Sequence, residues 1–310
     1  MTDRHDPPAG GPAPPAGLRS SPITRRRFLA AGAAGAAAVA GDAFLVEPRR
    51  VQFTRHAINA RTLPEQRQVR FVQVTDLHLQ SVGRVHRRIA AEVNRLKPDF
   101  VLFTGDSVDD RDRLPDFAAL LELFDRRTPK YAIAGNREYW GGVDMADLDA
   151  LYRRFNGRLL VNRSAVHEVG GRGLAVIGLD DLLGGQPDGP GAFGRAALKG
   201  AHAHLVLAHC PEHRDRLFAT SAFGVAAPPA PPPEFDLGRV AAVLSGHTHG
   251  GQVNLFGWTP ILPPASGRYV RGWFRDPGAV PLYVCRGVGM STLPVRFGSP
   301  PEVAVFTMWV

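Results

Sequence analysis

With 310 residues, 44% of them hydrophobic and 21% charged, the chain can bury a sizeable core and reads as an ordinary globular protein of one or two domains. Its formal charge of +8 is carried by arginines spread along the chain, with only Lys97, Lys130 and Lys199 as lysines, so it attracts acidic substrates mildly and argues against nucleic acid as a partner. Cys210 and Cys285 each sit in an apolar run and read as small buried thiols, which excludes a disulfide framework.

Met1 to Pro22 is rich in Pro, Gly and Ala without periodicity and reads as a disordered leader. Thr24-Arg25-Arg26-Arg27-Phe28-Leu29 follows and resembles a twin-arginine export signal. The uncharged run Phe28 to Gly41 has 14 residues. As a helix it spans about 21 Å at ~1.5 Å per residue, short of a hydrocarbon core of roughly 30 Å. Ala38-Val39-Ala40 supplies a small-residue cleavage pattern, so the mature chain is expected to begin near Gly41. Two alternatives stay open: a cytosolic chain with a basic tail, and an uncleaved signal acting as an anchor, helped by Phe44, Leu45 and Val46. On this reading residues 1–50 are leader, signal and linker, and residues 51–310 are the catalytic domain.

The body alternates strand and helix. Arg70 to Thr75 predicts a strand, and Val85, Ile89, Val93 and Leu96 then recur at helical spacing until Pro98. Phe100 to Thr104 is the next strand, Phe117 to Phe124 the next helix, Tyr131 to Ala134 a third strand and Met145 to Phe155 a third helix. Two β-α-β units with right-handed crossovers and a largely parallel sheet follow from this order. Asp76, Asp106 and Asn136 each fall just past a strand, at the sheet rim where ligands collect. Beyond Asn156 the strands are short: Ala165 to Val169, Leu174 to Leu179, His204 to Ala208, Val240 to Leu244, Leu282 to Cys285 and Val303 to Thr307. These predict a second sheet packed on the first. Ala226 to Pro233 reads as an exposed polyproline insertion.

Gly246-His247-Thr248-His249-Gly250-Gly251-Gln252 places two imidazoles one residue apart among glycines, which reads as half of a metal site. Asp76-Leu77-His78, Gly105-Asp106, Gly135-Asn136-Arg137-Glu138 and His209 complete a set of ligands suited to first-row metals. Seven such ligands suffice for two ions. Two divalent ions against two aspartates leave a positive surplus that can hold a hydroxide and a phosphate, and imidazole mixed with carboxylate suits Mn, Fe or Zn.

In the order Asp-x-His, Gly-Asp, Gly-Asn-x-Glu, His and Gly-His-x-His, these motifs resemble the calcineurin-like metallophosphoesterases. The likeness is closer to their exported phosphodiesterase branch, through Gly246 to Gln252, Tyr283 to Ser291, Pro294 to Phe297 and Pro300 to Glu302. The resemblance implies an α/β fold of two mixed sheets packed as a sandwich between helices. It implies one metal on Asp76, His78, Asp106 and His249 and a second on Asp106, Asn136, His209 and His247, with Asp106 bridging. It also implies a phosphodiester hydrolase in which metal-activated hydroxide attacks phosphorus, acting in the periplasm or cell envelope. The substrate would be a small phosphodiester or a lipid-linked molecule, with peripheral membrane association. The alternatives are a pyrophosphatase on a nucleotide-linked lipid of the UDP-diacylglucosamine type, and a non-catalytic metal-binding envelope protein.

The family's usual histidine after the motif asparagine is Arg137 in this chain. Arginine stays protonated and cannot serve as a general acid, but it can stabilise developing charge, so Arg137 joins Asn136 as a catalytic candidate. Arg286 and Arg296 are candidates for meeting substrate or for a structural role in the Gly-rich tail. Glu138 reads as a loop-orienting group. His202, His204 and His213 read as surface or loop residues, and Tyr139, Trp140 and Trp258 as pocket-lining or packing aromatics.

Overall fold

The computed structural model describes residues 24–59, 67–193, 198, 200–218 and 237–310, which form two compact units, one up to Ala40 and one from Gly41 to Val310. The expected leader and the proline-rich insertion lie outside the described residues.

The first unit holds α1 (Arg25–Gly41), an alanine-rich helix with no buried residue. The sequence run ending at Gly41 reads as too short to span a bilayer. The backbone corrects this, because a π-turn over Asp42–Val46 and a 3-10 turn over Glu47–Arg49 continue the helical path. The resulting 25 residues, Arg25–Arg49, are long and apolar enough to cross a membrane by length and composition, as a signal sequence also is.

In the second unit, one six-stranded sheet runs in the order β1 (Gln52–Asn59), β12 (Glu302–Trp309), β2 (Gln68–Val74), β3 (Phe100–Thr104), β4 (Lys130–Ile133), β5 (Gly157–Leu159). The other runs β10 (Gly272–Phe274), β11 (Leu282–Val284), β9 (Val240–Ser245), β8 (Ala201–Leu207), β7 (Arg172–Gly178), β6 (Arg163–Val169). Neighbours are parallel except β12 with β2, β10 with β11 and β6 with β7. The expected α/β fold of two mixed sheets is what the chain adopts.

The strand Val303 to Thr307 is the exception to the expected order. It belongs to the first sheet, wedged between β1 and β2 and antiparallel to β2 from Ala304↔Gln73 to Trp309↔Gln68. The chain thus returns from the second sheet to close the first.

Each central strand is buried on both faces, which explains runs such as Phe100-Val101-Leu102-Phe103. Val101 and Phe103 pack outward against α2 (Arg84–Leu96), α3 (Leu114–Leu121) and α5 (Met145–Arg154), through Ile89, Val93, Phe117, Leu120, Leu148 and Tyr152. Phe100 and Leu102 face inward and meet Leu174, Val176, Leu205 and Leu244 of the second sheet. The other side of that sheet is covered by α6 (Gly189–Phe193) through Ala192 and Phe193. Period-2 alternation along parallel strands therefore builds a helix-sheet-sheet-helix stack. Both cysteines are free and buried, as expected.

Candidate metal centre

The ligand candidates converge because every strand-to-loop junction that carries one opens on the same rim. Asp76 follows β2, Asp106 follows β3, Asn136 opens α4 (Asn136–Trp140) after β4, His209 follows β8 and His247 follows β9. All seven side chains are buried. They fall into two groups, Asp76 with His78 and His249, and Asp106 with His209 and His247, the ligand atoms of each group lying within 4.8 Å of one another.

Within the first group His78 Nε2 lies 3.0 Å from His249 Nε2, and His249 Nε2 lies 3.6 Å from Asp76 Oδ1. Within the second, His247 Nδ1 lies 3.3 Å from His209 Nε2. Atoms that share an ion at about 2.1 Å sit roughly 3.0–3.4 Å apart, so these separations suit a metal in each group. Asp106 Oδ2 joins the groups, 3.7 Å from His78 Nε2 and 3.4 Å from His209 Nε2. Asn136 Oδ1 is buried and has no hydrogen-bond partner among the described residues, a costly condition that a cation would relieve.

The ring nitrogens are oriented one by one. His78 Nδ1 is 2.6 Å from Asp109 Oδ1, His209 Nδ1 is 2.8 Å from the Thr104 carbonyl, and His247 Nε2 is 2.7 Å from the Pro264 carbonyl. In each ring the opposite nitrogen faces the site, the arrangement that fixes tautomer and aim for a metal. His249 Nδ1 faces Arg296 Nη2 at 3.3 Å, leaving Nε2 toward Asp76.

The backbone is bent to achieve this. Asp76, His78, Asp106, His247 and His249 have φ between 43° and 74°, the left-handed region that costs non-glycine residues on the order of 1–3 kcal/mol each. Hydrogen bonds between the loops hold the bends: Asp76 N–H to the Gly105 carbonyl, His78 N–H to the Asp106 carbonyl, and His247 N–H to the Asp76 carboxylate at 2.9 Å. Two glycines are required by close approach. A Cβ on Gly246 would stand 2.3 Å from Asp76 Oδ2, and one on Gly135 would stand 2.3 Å from Asp106 Oδ1.

Electrostatics favour a cation here. Burial pushes the Asp76 carboxyl up, and Asp106 adds to it. Burial pulls His247 down to about 4 and His249 well below its ordinary value, so both present neutral imidazoles at neutral pH. His78 and His209 are also disfavoured as cations by burial, but Asp109 and Asp106 outweigh that for His78, and Asp106 does so for His209. The same carboxylates that draw protons onto these rings would draw in a divalent ion. Glu138 takes the loop-orienting place expected of it: its carboxylate accepts N–H bonds from Gly135, Asp106 and Ser107 at 2.9, 3.0 and 2.6 Å.

Arg137 stands at the edge of this pocket, partly exposed. Its N–H donates to Asp106 Oδ1 at 2.8 Å, its Nη2 donates to Ser291 Oγ at 2.7 Å, and its guanidinium lies over the Trp140 ring. Arg296 and Arg286 are both engaged within the Gly-rich tail, in keeping with the structural role. Arg296 is fully buried and donates to the carbonyls of Arg286, Gly287, Gly289 and Ser299, which makes it a scaffold beside His249. Arg286 is committed to Glu302 and Gln52. His204 and His213 are corrected: both are buried, His204 within β8 and His213 at the start of α7 (His213–Phe218). Tyr139 donates to Asp180 and packs, whereas Trp140 and Trp258 are exposed.

Asp109 is the functional residue that sequence reading misses. It lies three positions past Asp106 with no motif of its own, and its contact with His78 gives it a role at the site. Asp109→Asn is expected to weaken the metal position around His78 by about 10–100-fold, the usual effect of losing such a partner, while leaving the other position nearly unchanged. A two-site metal titration by calorimetry checks this: the weaker step should move and the fold, followed by circular dichroism, should not.

The chain belongs to the calcineurin-like phosphoesterases, whose sequence pattern matches residues 69–251. It is a metallophosphoesterase, a hydrolase of a family that works with two divalent metals. Among its relatives is the metallophosphoesterase YkuE of Bacillus subtilis, 32% identical over 303 residues that cover 92% of this chain and 98% of that protein. Another is the phosphodiesterase YaeI of Escherichia coli, 29% identical over 92% of this chain and 99% of that protein. Among solved structures, an NAD nucleotidase of Haemophilus influenzae is 16% identical over 72% of this chain and 45% of that one, with a TM-score of 0.46.

Proposed function

We propose that this chain is a two-metal phosphodiester hydrolase that acts outside the cytoplasm. One ion would be held by Asp76, His78, Asp106 and His249, the other by Asp106, Asn136, His209 and His247. The observation that carries the reading is the position of Asp106 Oδ2 between the two groups, with the orphaned Asn136 Oδ1 in the second. When bound, two such ions supply Lewis acidity toward phosphoryl oxygen and make water acidic enough to attack phosphorus at neutral pH.

The chain's own residues do the rest. Burial of all seven ligands excludes bulk water and strengthens every charge interaction inside. Arg137, tethered by Ser291, offers a permanent cation to phosphoryl oxygens that gain charge in the transition state. It cannot hand a proton to a leaving oxygen. Asn136 is placed to orient substrate or metal through its free Oδ1. The likeness to a relative named a phosphodiesterase supports the diester class. The full chain loaded with Mn, Fe(II) or Zn should cleave bis(4-nitrophenyl) phosphate, and chelation should abolish the rate. No turnover with any of the three metals would leave the non-catalytic envelope protein standing.

A pyrophosphatase on a nucleotide-linked lipid is the second reading, favoured by Phe256, Trp258 and Ile261 exposed on the loop that ends at Pro264, beside His247. Faster cleavage of a UDP-linked lipid than of the aryl diester would select it.

Arg25-Arg26 with Phe28-Leu29 ahead of an apolar helix supports export by the twin-arginine route, which would deliver the enzyme to the periplasm or cell envelope, either cleaved near Gly41 or anchored by the uncleaved helix. Arg25→Lys with Arg26→Lys is expected to retain the protein inside. Fractionation of cells expressing parent and variant tests this, and undiminished delivery of the variant would remove the twin-arginine reading.

A further inference from the structure

Apart from Trp140, which lies under the Arg137 guanidinium, the large apolar side chains exposed among the described residues of the second unit fall in three segments: Phe44-Leu45-Val46, the loop with Leu255, Phe256, Trp258 and Ile261, and Leu293. Exposed large hydrophobics scattered singly need no explanation, but these are tied to one another. Asn254 N–H donates to the Phe297 carbonyl at 2.7 Å, and Phe297 N–H donates to the Gln252 carbonyl at 2.9 Å. The residues on either side of Phe297 grip the other segment: Arg296 N–H donates to the Ala43 carbonyl at 3.0 Å, and Gly298 N–H donates to the Glu47 carboxylate at 3.0 Å. Gln252 Nε2 reaches the Leu293 carbonyl at 2.9 Å. The three apolar segments therefore rim one stretch of backbone, 296–298.

The loop is built to present its tip. Leu255 and Trp258 exchange N–H to carbonyl bonds at 2.8 and 3.1 Å, and Gly257 N–H donates to Asn254 Oδ1 at 2.7 Å. This tight turn lifts Phe256 fully into solvent, at 105% of its reference exposure, with Ile261 at 77%. Phe256 holds this position on a backbone φ of 55° and is left uncovered by the described residues.

We infer that this apolar rim is a lipid-bilayer docking face that seats the mouth of the metal site against a membrane surface. The chemistry favours lipid: a tryptophan and a phenylalanine at a turn tip are the residues that settle at headgroup depth, with aliphatic neighbours entering the acyl boundary. Exposed Arg49 and Arg50, with Arg271 bonded to the Gly298 carbonyl, flank the rim and suit anionic headgroups. Asp42 is the partly exposed acidic group among them, since Glu47 is buried. Covalent continuity points the same way. The chain enters this unit at Gly41 from a helix apolar enough to enter a bilayer, and reaches Phe44 three residues later. The loop's two ends also touch the metal ligands, since the turn at His249–Gly251 leads into it and Pro264 receives His247. The inference draws on the envelope reading only in placing a bilayer within reach, and its test reads lipid contact alone, independent of export and hydrolysis.

The test uses the full chain, anchored in phosphatidylglycerol–phosphatidylcholine vesicles, with a polarity-sensitive dye on Phe256→Cys or on Ile261→Cys, the native cysteines being buried. A dye on Glu168→Cys, an exposed position on β6, serves as the control. The two loop dyes should shift to the blue on vesicle addition and lose more than half their emission to brominated acyl chains, while the control changes in neither respect. Loop dyes that stay as solvent-exposed as the control overturn the inference. A blue shift that grows with protein concentration in lipid-free detergent solution also overturns it, by assigning the face to a second copy of the chain.

Discussion

Asp106→Asn is expected to strip both metal positions together and to lower phosphodiester turnover on the order of 10³-fold or more. Two-ion Lewis-acid stabilisation is worth several kcal/mol, and each ~1.4 kcal/mol is a factor of ten. The reason for a double loss is geometric. Asp106 Oδ2 stands within 3.7 Å of a nitrogen of each group, and an amide oxygen is a far weaker bridge than a carboxylate. His249→Ala, by contrast, removes a ligand from one group and should chiefly weaken one step of a metal titration. Misfolding does not account for the expected loss. Asparagine keeps the size of the side chain and can still accept the Arg137 N–H, and the substitution removes one of two buried carboxylates that repel each other. With chelator present, the variant should still unfold cooperatively but melt somewhat below the parent, because the Asp106 carboxylate also holds the His78 and His209 rings. With metal added, the parent should gain stability and the variant should not, since only ligand bound to the native state raises the midpoint. A metal-dependent rise of equal size in both proteins would remove Asp106 from the bridging role.

Arg137→His should shift substrate preference more than it shifts overall rate. An aryl oxide or a nucleoside phosphate leaves without a proton, whereas an alkoxide needs one from a general acid. Arg137 is held by Ser291 and faces Asp109 at 3.9 Å, so it is positioned as a fixed charge at the pocket edge. Restoring an imidazole should raise kcat/KM for alkyl diesters relative to aryl diesters by up to about 10²–10⁴-fold, the range general-acid help typically contributes. Because the fixed charge is lost at the same time, the aryl rate should fall modestly. The pH profile supplies a second readout: the alkyl rate of the variant should decline above the imidazole's titration, a limb the parent lacks. An unchanged alkyl-to-aryl ratio would mean that the leaving group is protonated by another route.

Much of this was legible in the residues because the signals are local. Strand β3 reads directly from Phe100 to Thr104, a continuous apolar run of the kind a strand buried on both faces requires. The helix from Arg84 reads from Ile89 and Val93 at helical spacing, and the ligands read from their position just past strands. What stayed hidden depends on distant partners. Strand β1, Gln-Phe-Thr-Arg-His-Ala-Ile-Asn, lies at the sheet edge and mixes polar and apolar residues on both faces, so no apolar alternation announces it. The C-terminal strand looks like its predecessors in the second sheet, and only its pairing with Gln68 to Gln73 sends it to the first. For Arg296 the sequence leaves substrate contact and a structural role side by side, because its partners are backbone carbonyls, which leave no mark in composition. Asp109 is invisible for the complementary reason: one carboxylate among several in Asp106-Ser107-Val108-Asp109-Asp110 gains its meaning from a single imidazole 31 residues upstream.

The central claim is that two ions share Asp106, and metal counting tests it most directly. Chelated, refilled and desalted full chain, analysed for bound Mn or Zn against protein concentration, should carry two ions per chain, with phosphodiester hydrolysis rising in step with occupancy of the second. Full activity at one ion per chain, or two tightly held ions in Asp106→Asn, would contradict it.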